Sequence, residues 1–255
     1  MTRLVASCVA VLFFVCAPAQ SQWVKVPKPN IPRMADGKPD LSAPAPRLAG
    51  KPDLSGVWAP DNKYARDLAA ELRPDDVPFQ PWAKALFDER KNGSRSREDN
   101  AAHCLPPGVP RINAAPFPWK IVQAPAFIVI VYETFNLWRQ IFLDGREVAE
   151  DATPSWFGYS TGKWDGDTLV VDTKGFNGKA WIDQLGKPST EALHVIERFR
   201  RKDFGHMEIQ ITIDDPKAYT KPWTVTEQVN LLPDAELLEF ICNENNRDLE
   251  HLPAK

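Results

Sequence analysis

A mainly β fold, an antiparallel meander that closes into a barrel, is predicted by three features of the chain. From about residue 120 the apolar pattern takes a period of two, as half-buried strands require. The segments follow one another through tight turns such as Asp165-Gly166, Asp203-Phe204-Gly205 and Pro233-Asp234. Several apolar strand faces also carry a lone charge, Arg139, Glu197 or Glu227, and a charge that faces a core needs a partner or a purpose. A succession of antiparallel neighbours that turns one face inward closes into an up-and-down barrel or pairs as a two-sheet sandwich, the alternative.

The elements can be taken in order. Arg3, the apolar stretch Leu4 to Val15 and the small-x-small run Ala17-Pro18-Ala19 predict a signal peptide over 1–21. Val5-Ala6-Ser7-Cys8 looks like a lipoprotein box, but it opens the apolar stretch instead of following it, so cleavage near Ala19 or Ser21 is expected rather than a lipid anchor. Residues 22–53 are Pro-rich and read as a linker or wrapped arm. Within them Gly37-Lys38-Pro39-Asp40-Leu41-Ser42 recurs as Gly50-Lys51-Pro52-Asp53-Leu54-Ser55, too short a repeat for a solenoid. A single barrel-like domain is expected over 54–255. It starts with a strand at Gly56-Val57-Trp58 and carries a helical insertion over about 60–100, with two short helices at Asn62–Leu72 and Pro81–Lys91. Strands follow at about 120–124, 126–133, 137–143, 156–164, 167–173, 192–201, 206–213, 222–231 and 236–243. Loop 174–191, with Phe176, Trp181 and Ile182 between glycines, is the lid candidate.

Composition narrows the function classes. With 255 residues, 43% hydrophobic and 25% charged, the chain can bury a large core. A formal net charge of −3 gives no basic field for nucleic acid. Arg198, Arg200, Arg201 and Lys202 form one basic cluster, read as a solvated strand end because Asp203 follows at once. No segment approaches the length of a membrane span, so no integral membrane association is expected. The leader would take Cys8 and Cys16 with it, leaving Cys104 and Cys242 in a periplasmic or extracellular, oxidising compartment. A disulfide is expected there, two buried free thiols being the other reading.

Leu54-Ser55-Gly56-Val57-Trp58 ahead of a meander resembles the calycin superfamily, whose lipocalin members carry G-x-W on the first strand and an interior ligand cup. A second resemblance is to a group of exported bacterial proteins of unassigned function. It rests on Pro52-Asp53-Leu54-Ser55-Gly56-Val57-Trp58, Cys104-Leu105-Pro106-Pro107-Gly108, the run from Arg139 to Arg146, the run from Gly162 to Thr173, and Ile213-Asp214-Asp215-Pro216. The first resemblance implies a calycin-like barrel that binds a small molecule. The second brings no catalytic residues. The stretch between Trp58 and Lys120 is far longer than a usual lipocalin first loop.

Candidate chemistry follows from the strand faces. Arg139, Glu133 and the tryptophans Trp138, Trp156, Trp181 and Trp223 are expected to contact an apolar or ring-containing ligand in a Trp-lined cavity, because tryptophan offers a large flat surface and one donor. Glu133 can reach Arg139 across a short hairpin as a clasp. In the alternative, an exported hydrolase, lyase or isomerase, Glu197 or Glu227 serves as acid or base and His194 assists. The bland version is an Arg-Glu pair that fixes register. A structural or assembly module is the third reading. No cofactor is implied. His103, Cys104, His206 and Met207 loosely suggest copper, but the expected disulfide consumes the thiolate, and no His/Cys spacing fits zinc. Val171-Asp172-Thr173-Lys174-Gly175 fails as an aspartic-protease motif because Lys174 interrupts it, and Asp165, Asp167 and Asp172 lack EF-hand spacing.

Overall fold

A computed structural model describes residues 27–148, 151–244 and 247–252. The predicted leader, with Cys8 and Cys16, lies outside them. A two-residue ladder, β1 (Arg47–Leu48) and β2 (Lys51–Pro52), precedes nine strands that close into a barrel: β3 (Gly56–Pro60), β4 (Trp119–Gln123), β5 (Phe127–Tyr132), β6 (Trp138–Phe142), β7 (Tyr159–Asp165), β8 (Thr168–Lys174), β9 (His194–Arg201), β10 (His206–Asp214) and β11 (Trp223–Leu231). The strands run around the ring in sequence order, and β11 returns to β3 through Leu231↔Trp58. The barrel and the mainly β class agree with the calycin-like expectation.

A ring of nine strands cannot alternate direction all the way round. One neighbouring pair must be parallel, and it falls at β6–β7, where only Ile141↔Ser160 and Phe142↔Thr161 pair. A parallel neighbour needs a crossover that carries the chain back to the same end. The chain between Phe142 and Tyr159 supplies it. Every other junction is antiparallel, and β9–β10 and β10–β11 run through eight paired positions each.

Register fixes a single inner face. Trp58, Trp119 and Tyr132 pair across β3–β4–β5; Ile130 pairs with Arg139; Ser160 pairs with Thr173; Val171, Glu197, Ile211 and Val225 follow around the wall. Directly paired residues point the same way. Aliphatic and aromatic side chains on this face form the core. On β5 the sequence is apolar on both faces, and Ile128, Ile130 and Tyr132 face inward while Phe127 and Val131 are exposed. Gly56 has φ +145°, and a Cβ there would lie 2.6 Å from Leu231 Cδ1, which explains the glycine ahead of Trp58.

Two expected elements differ, the helix at Asn62–Leu72 and the strand at 236–243, while the helix expected at Pro81–Lys91 is present. Asn62–Leu72 is not a helix: a 3-10 turn, Asn62–Tyr64, capped by Asp61, gives way to turns because side-chain carboxylates take the amides. Asp67 accepts from the Ala69 N–H, and Asp183 accepts from the Leu68 N–H. The second helix, α1 (Pro81–Arg90), starts with proline at its first position and packs Phe87 on Phe79. Residues 236–243 form no strand; Phe240 instead stacks on Phe117. Two further short helices are α2 (Arg111–Ala114) and α3 (Asp248–His251). Cys104 and Cys242 form the disulfide, with Cα atoms 5.5 Å apart.

The two copies of the Pro-Asp-Leu-Ser repeat make the same local turn: Asp40 accepts from the Ser42 N–H and Asp53 from the Ser55 N–H. Leu41 and Ala43 then accept backbone hydrogen bonds from Gly205 and Phe204 at the β9–β10 turn. Arg33 pairs with Asp234, the residue expected to make a hairpin turn, at 2.8 Å. The described part of the Pro-rich segment is therefore packed along the barrel. Among the described residues no helix is long and apolar enough to cross a membrane.

Candidate ligand cleft at the parallel seam

The short β6–β7 ladder leaves strand edges unpaired in the wall, and side chains take over the joining. Arg139, inward on β6 and 2% exposed, donates through Nε to Ser160 Oγ on β7 (3.0 Å) and through Nη2 to Thr173 Oγ1 on β8 (2.9 Å). It then forms a fork with Glu197 on β9, at 3.2 and 2.5 Å. Four strands thus meet on one guanidinium. Glu197 also accepts from Asn113 Nδ2 (2.7 Å), and Asn113 Oδ1 accepts from the Tyr132 hydroxyl (2.8 Å). Burial works against the Arg139 charge, but the Glu197 carboxylate more than offsets it and holds the guanidinium above its ordinary value. Burial also raises the Tyr132 hydroxyl, keeping it a neutral donor.

Over this seam lies a cleft of about 440 Å³. Trp138, Phe142, Trp156, Phe157 and Tyr159 form its walls with Gln140 and Ser155, and the buried Arg139 and Ser160 border it from the inner side. Trp138 is 61% exposed, the most exposed large apolar side chain among the described residues. Phe142 stacks on Tyr159 at 5.4 Å, and the Arg146 guanidinium lies over the Phe142 ring, 4.0 Å from its centroid. Gly158 borders the cleft with φ +62°; a Cβ there would meet Lys174 O at 2.6 Å, so only glycine lets the crossover enter β7 this closely.

Glu227 is the other inward acid. It is fully buried, neither carboxyl oxygen has a hydrogen-bond partner among the described residues, and burial followed by the Glu197 charge pushes its pKa up to about 8. The carboxyl is therefore neutral at pH 7.

The chain resembles no matched family model, no curated protein and no solved structure. The comparisons thus give no support to the exported bacterial group, and the site is argued from geometry alone.

The predicted site residues distribute unevenly. Arg139, Trp138 and Trp156 come together at the seam cleft. Trp223 lies inward at the far wall, edge-on to Tyr219 at 5.5 Å. Trp181 is buried under Arg90, 4.5 Å from the guanidinium. The loop that carries it is a packed seam and not a lid: Ile182, Asp183 and Lys187 are buried, and Lys187 Nζ bridges Asp183 (2.8 Å) and Asp67 (2.6 Å). Glu133 does not clasp Arg139. It accepts from the Leu238 N–H at 3.0 Å, because Arg139 points inward to Glu197. His194 faces outward and pairs with Asp172 at 2.9 Å, so strand alternation separates it from Glu197 and Glu227. The enzyme trio is not assembled at one place.

Arg201 also departs from expectation. It is buried at the end of the inner face, its guanidinium over Trp58 (4.9 Å) and bonded to the carbonyls of Asp53, Asp203 and Phe204. Burial lowers its pKa to about 10. Sequence reasoning missed Ser160, Thr173 and Asn113; the inward period of two already marked the first pair on β7 and β8.

Proposed function

We propose that this chain is an exported small-molecule binding protein whose ligand, apolar or ring-containing with one polar group, sits in the seam cleft. The observation that carries the reading is an aromatic wall with polar groups at its margin: Trp138 and Trp156 flank an opening also lined by Gln140 and Ser155. A pocket of about 300–1,000 Å³, mostly apolar with a few convergent polar groups, is the usual form of such a site. Arg139 and Ser160, behind the opening, are almost wholly buried and bond Glu197 and Thr173, so Gln140 and Ser155 are the polar groups offered to the ligand and no free cation is. Export is supported by the leader pattern and is compatible with the Cys104–Cys242 bond.

Native mass spectrometry of the purified protein tests this. Wild type is expected to retain a small molecule, or to take up 2-naphthol added in solution, and Trp138→Ala with Trp156→Ala is expected to lose it. Retention undiminished in that double variant would place the ligand elsewhere and sink the reading.

A further inference from the structure

On another side of the molecule, α1, the 3-10 turn Asn100–His103 and loop 174–191 enclose a second cavity of about 520 Å³, which shares no lining residue with the seam cleft. Its walls carry four cations, Arg66, Arg90, Lys91 and Arg111, against one acid, Asp99. Local pairing cancels two of these. Asp99 is taken by Arg111 in a bidentate pair at 2.7 Å, and Lys91 pairs with Asp88 at 2.7 Å.

Arg90 and Arg66 remain. Arg90 is mostly buried and lies over the Trp181 ring, yet its Nε has no hydrogen-bond partner among the described residues. Its Nη1 reaches Gly186 O only at 3.4 Å, and its Nη2 approaches Glu98 at 3.8 Å while Arg95 holds that carboxylate at 2.7 Å. Burial lowers its pKa, as expected of a guanidinium whose charge is under-compensated. Arg66 is exposed, and its backbone carbonyl is fixed by the Leu185 N–H on the opposite wall. Two under-used guanidinium forks facing one cavity match the planar, bidentate geometry of an oxyanion.

We infer that this cavity binds a small molecule bearing a phosphate or carboxylate, with Arg90 and Arg66 as its anion contacts and Trp181 as the rigid platform behind Arg90. The volume leaves room for an organic body beyond the charged group. The site is independent of the seam cleft and stands or falls separately from it.

Calorimetric titration with inorganic phosphate and with citrate, each against potassium chloride of equal ionic strength, provides the test. Saturable binding of either anion beyond the chloride control is expected; phosphate alone or citrate alone identifies which oxyanion is preferred. Arg66→Glu, at an exposed position, and Arg90→Met, which keeps the stem on Trp181, are each expected to weaken binding by about tenfold or more. No saturable heat with either anion, or unchanged affinity in Arg66→Glu, overturns the inference. Arg66→Glu alone decides the matter if Arg90→Met does not fold.

Discussion

Glu197 and Glu227 lie on the same inner face of the barrel, both fully buried, and differ in what surrounds them. Glu197 sits on the seam side, where Arg139 and Asn113 satisfy it, and the pair helps join β6 to the strands beyond the parallel junction. Glu227 sits on β11, paired with Ile209 of β10 but short of the three-residue β11–β3 ladder, and neither of its carboxyl oxygens has a hydrogen-bond partner among the described residues. A buried acid is thus tolerated in two ways: as an ion inside a connected network, or as a neutral group kept protonated by its surroundings. The Arg139 end of the network stands where β6–β7 pairing stops, at Ile141 and Phe142.

The strongest way to break this contrast is Arg139→Met. It strands Glu197 without its guanidinium and unties four strands, and removing one partner of a buried pair costs about 3–5 kcal/mol. A urea midpoint equal to wild type would contradict the structural role. The second way acts on the other acid through pH. With a folded pKa of about 8 against an ordinary 4.5, the folded state holds a proton that the unfolded chain releases. The associated stability is complete below 4.5 and is lost at about 1.4 kcal/mol per pH unit as pH rises toward 8. Glu227→Gln removes this slope, and its melting temperature should overtake wild type toward pH 8; parallel pH profiles for the two proteins would refute the neutral-acid account. Asn113→Ala leaves Tyr132 and one oxygen of Glu197 short of a partner and should cost about 2–3 kcal/mol in the same urea assay. Trp138→Ala, at an exposed wall of the cleft, should move stability by less than about 0.5 kcal/mol while weakening ligand uptake. A large loss of stability there would make Trp138 a packing residue.

Much of the barrel was legible from alternation, because strands such as β9, β10 and β11 bury every second residue; β3, which buries both Val57 and Trp58, and β5, apolar on both faces, could not be oriented that way. The helix expected at Asn62–Leu72 failed because Asp67 takes the Ala69 amide locally and Asp183 takes the Leu68 amide from loop 174–191, the second a tertiary contact no local pattern contains. The strand expected at 236–243 failed through aromatic packing of Phe240 and the Cys242 bond. That failure matters for the site. Ten strands would close with every neighbour antiparallel, whereas nine force the parallel seam on which the cleft lies. The inward charges Arg139, Glu197 and Glu227 were visible as exceptions to an apolar face, but their partners were not, since Asn113 arrives from a short helix and Ser160 from across the seam.

Indole N–H resonances of the tryptophans, followed by NMR during titration with 2-naphthol, test the seam as the ligand site most directly. The signals of Trp138 and Trp156 should shift together and saturably, while those of Trp58, Trp119 and Trp223 on the inner face stay in place. Shifts confined to Trp223 or the other inward rings, with Trp138 and Trp156 unmoved, would contradict the account.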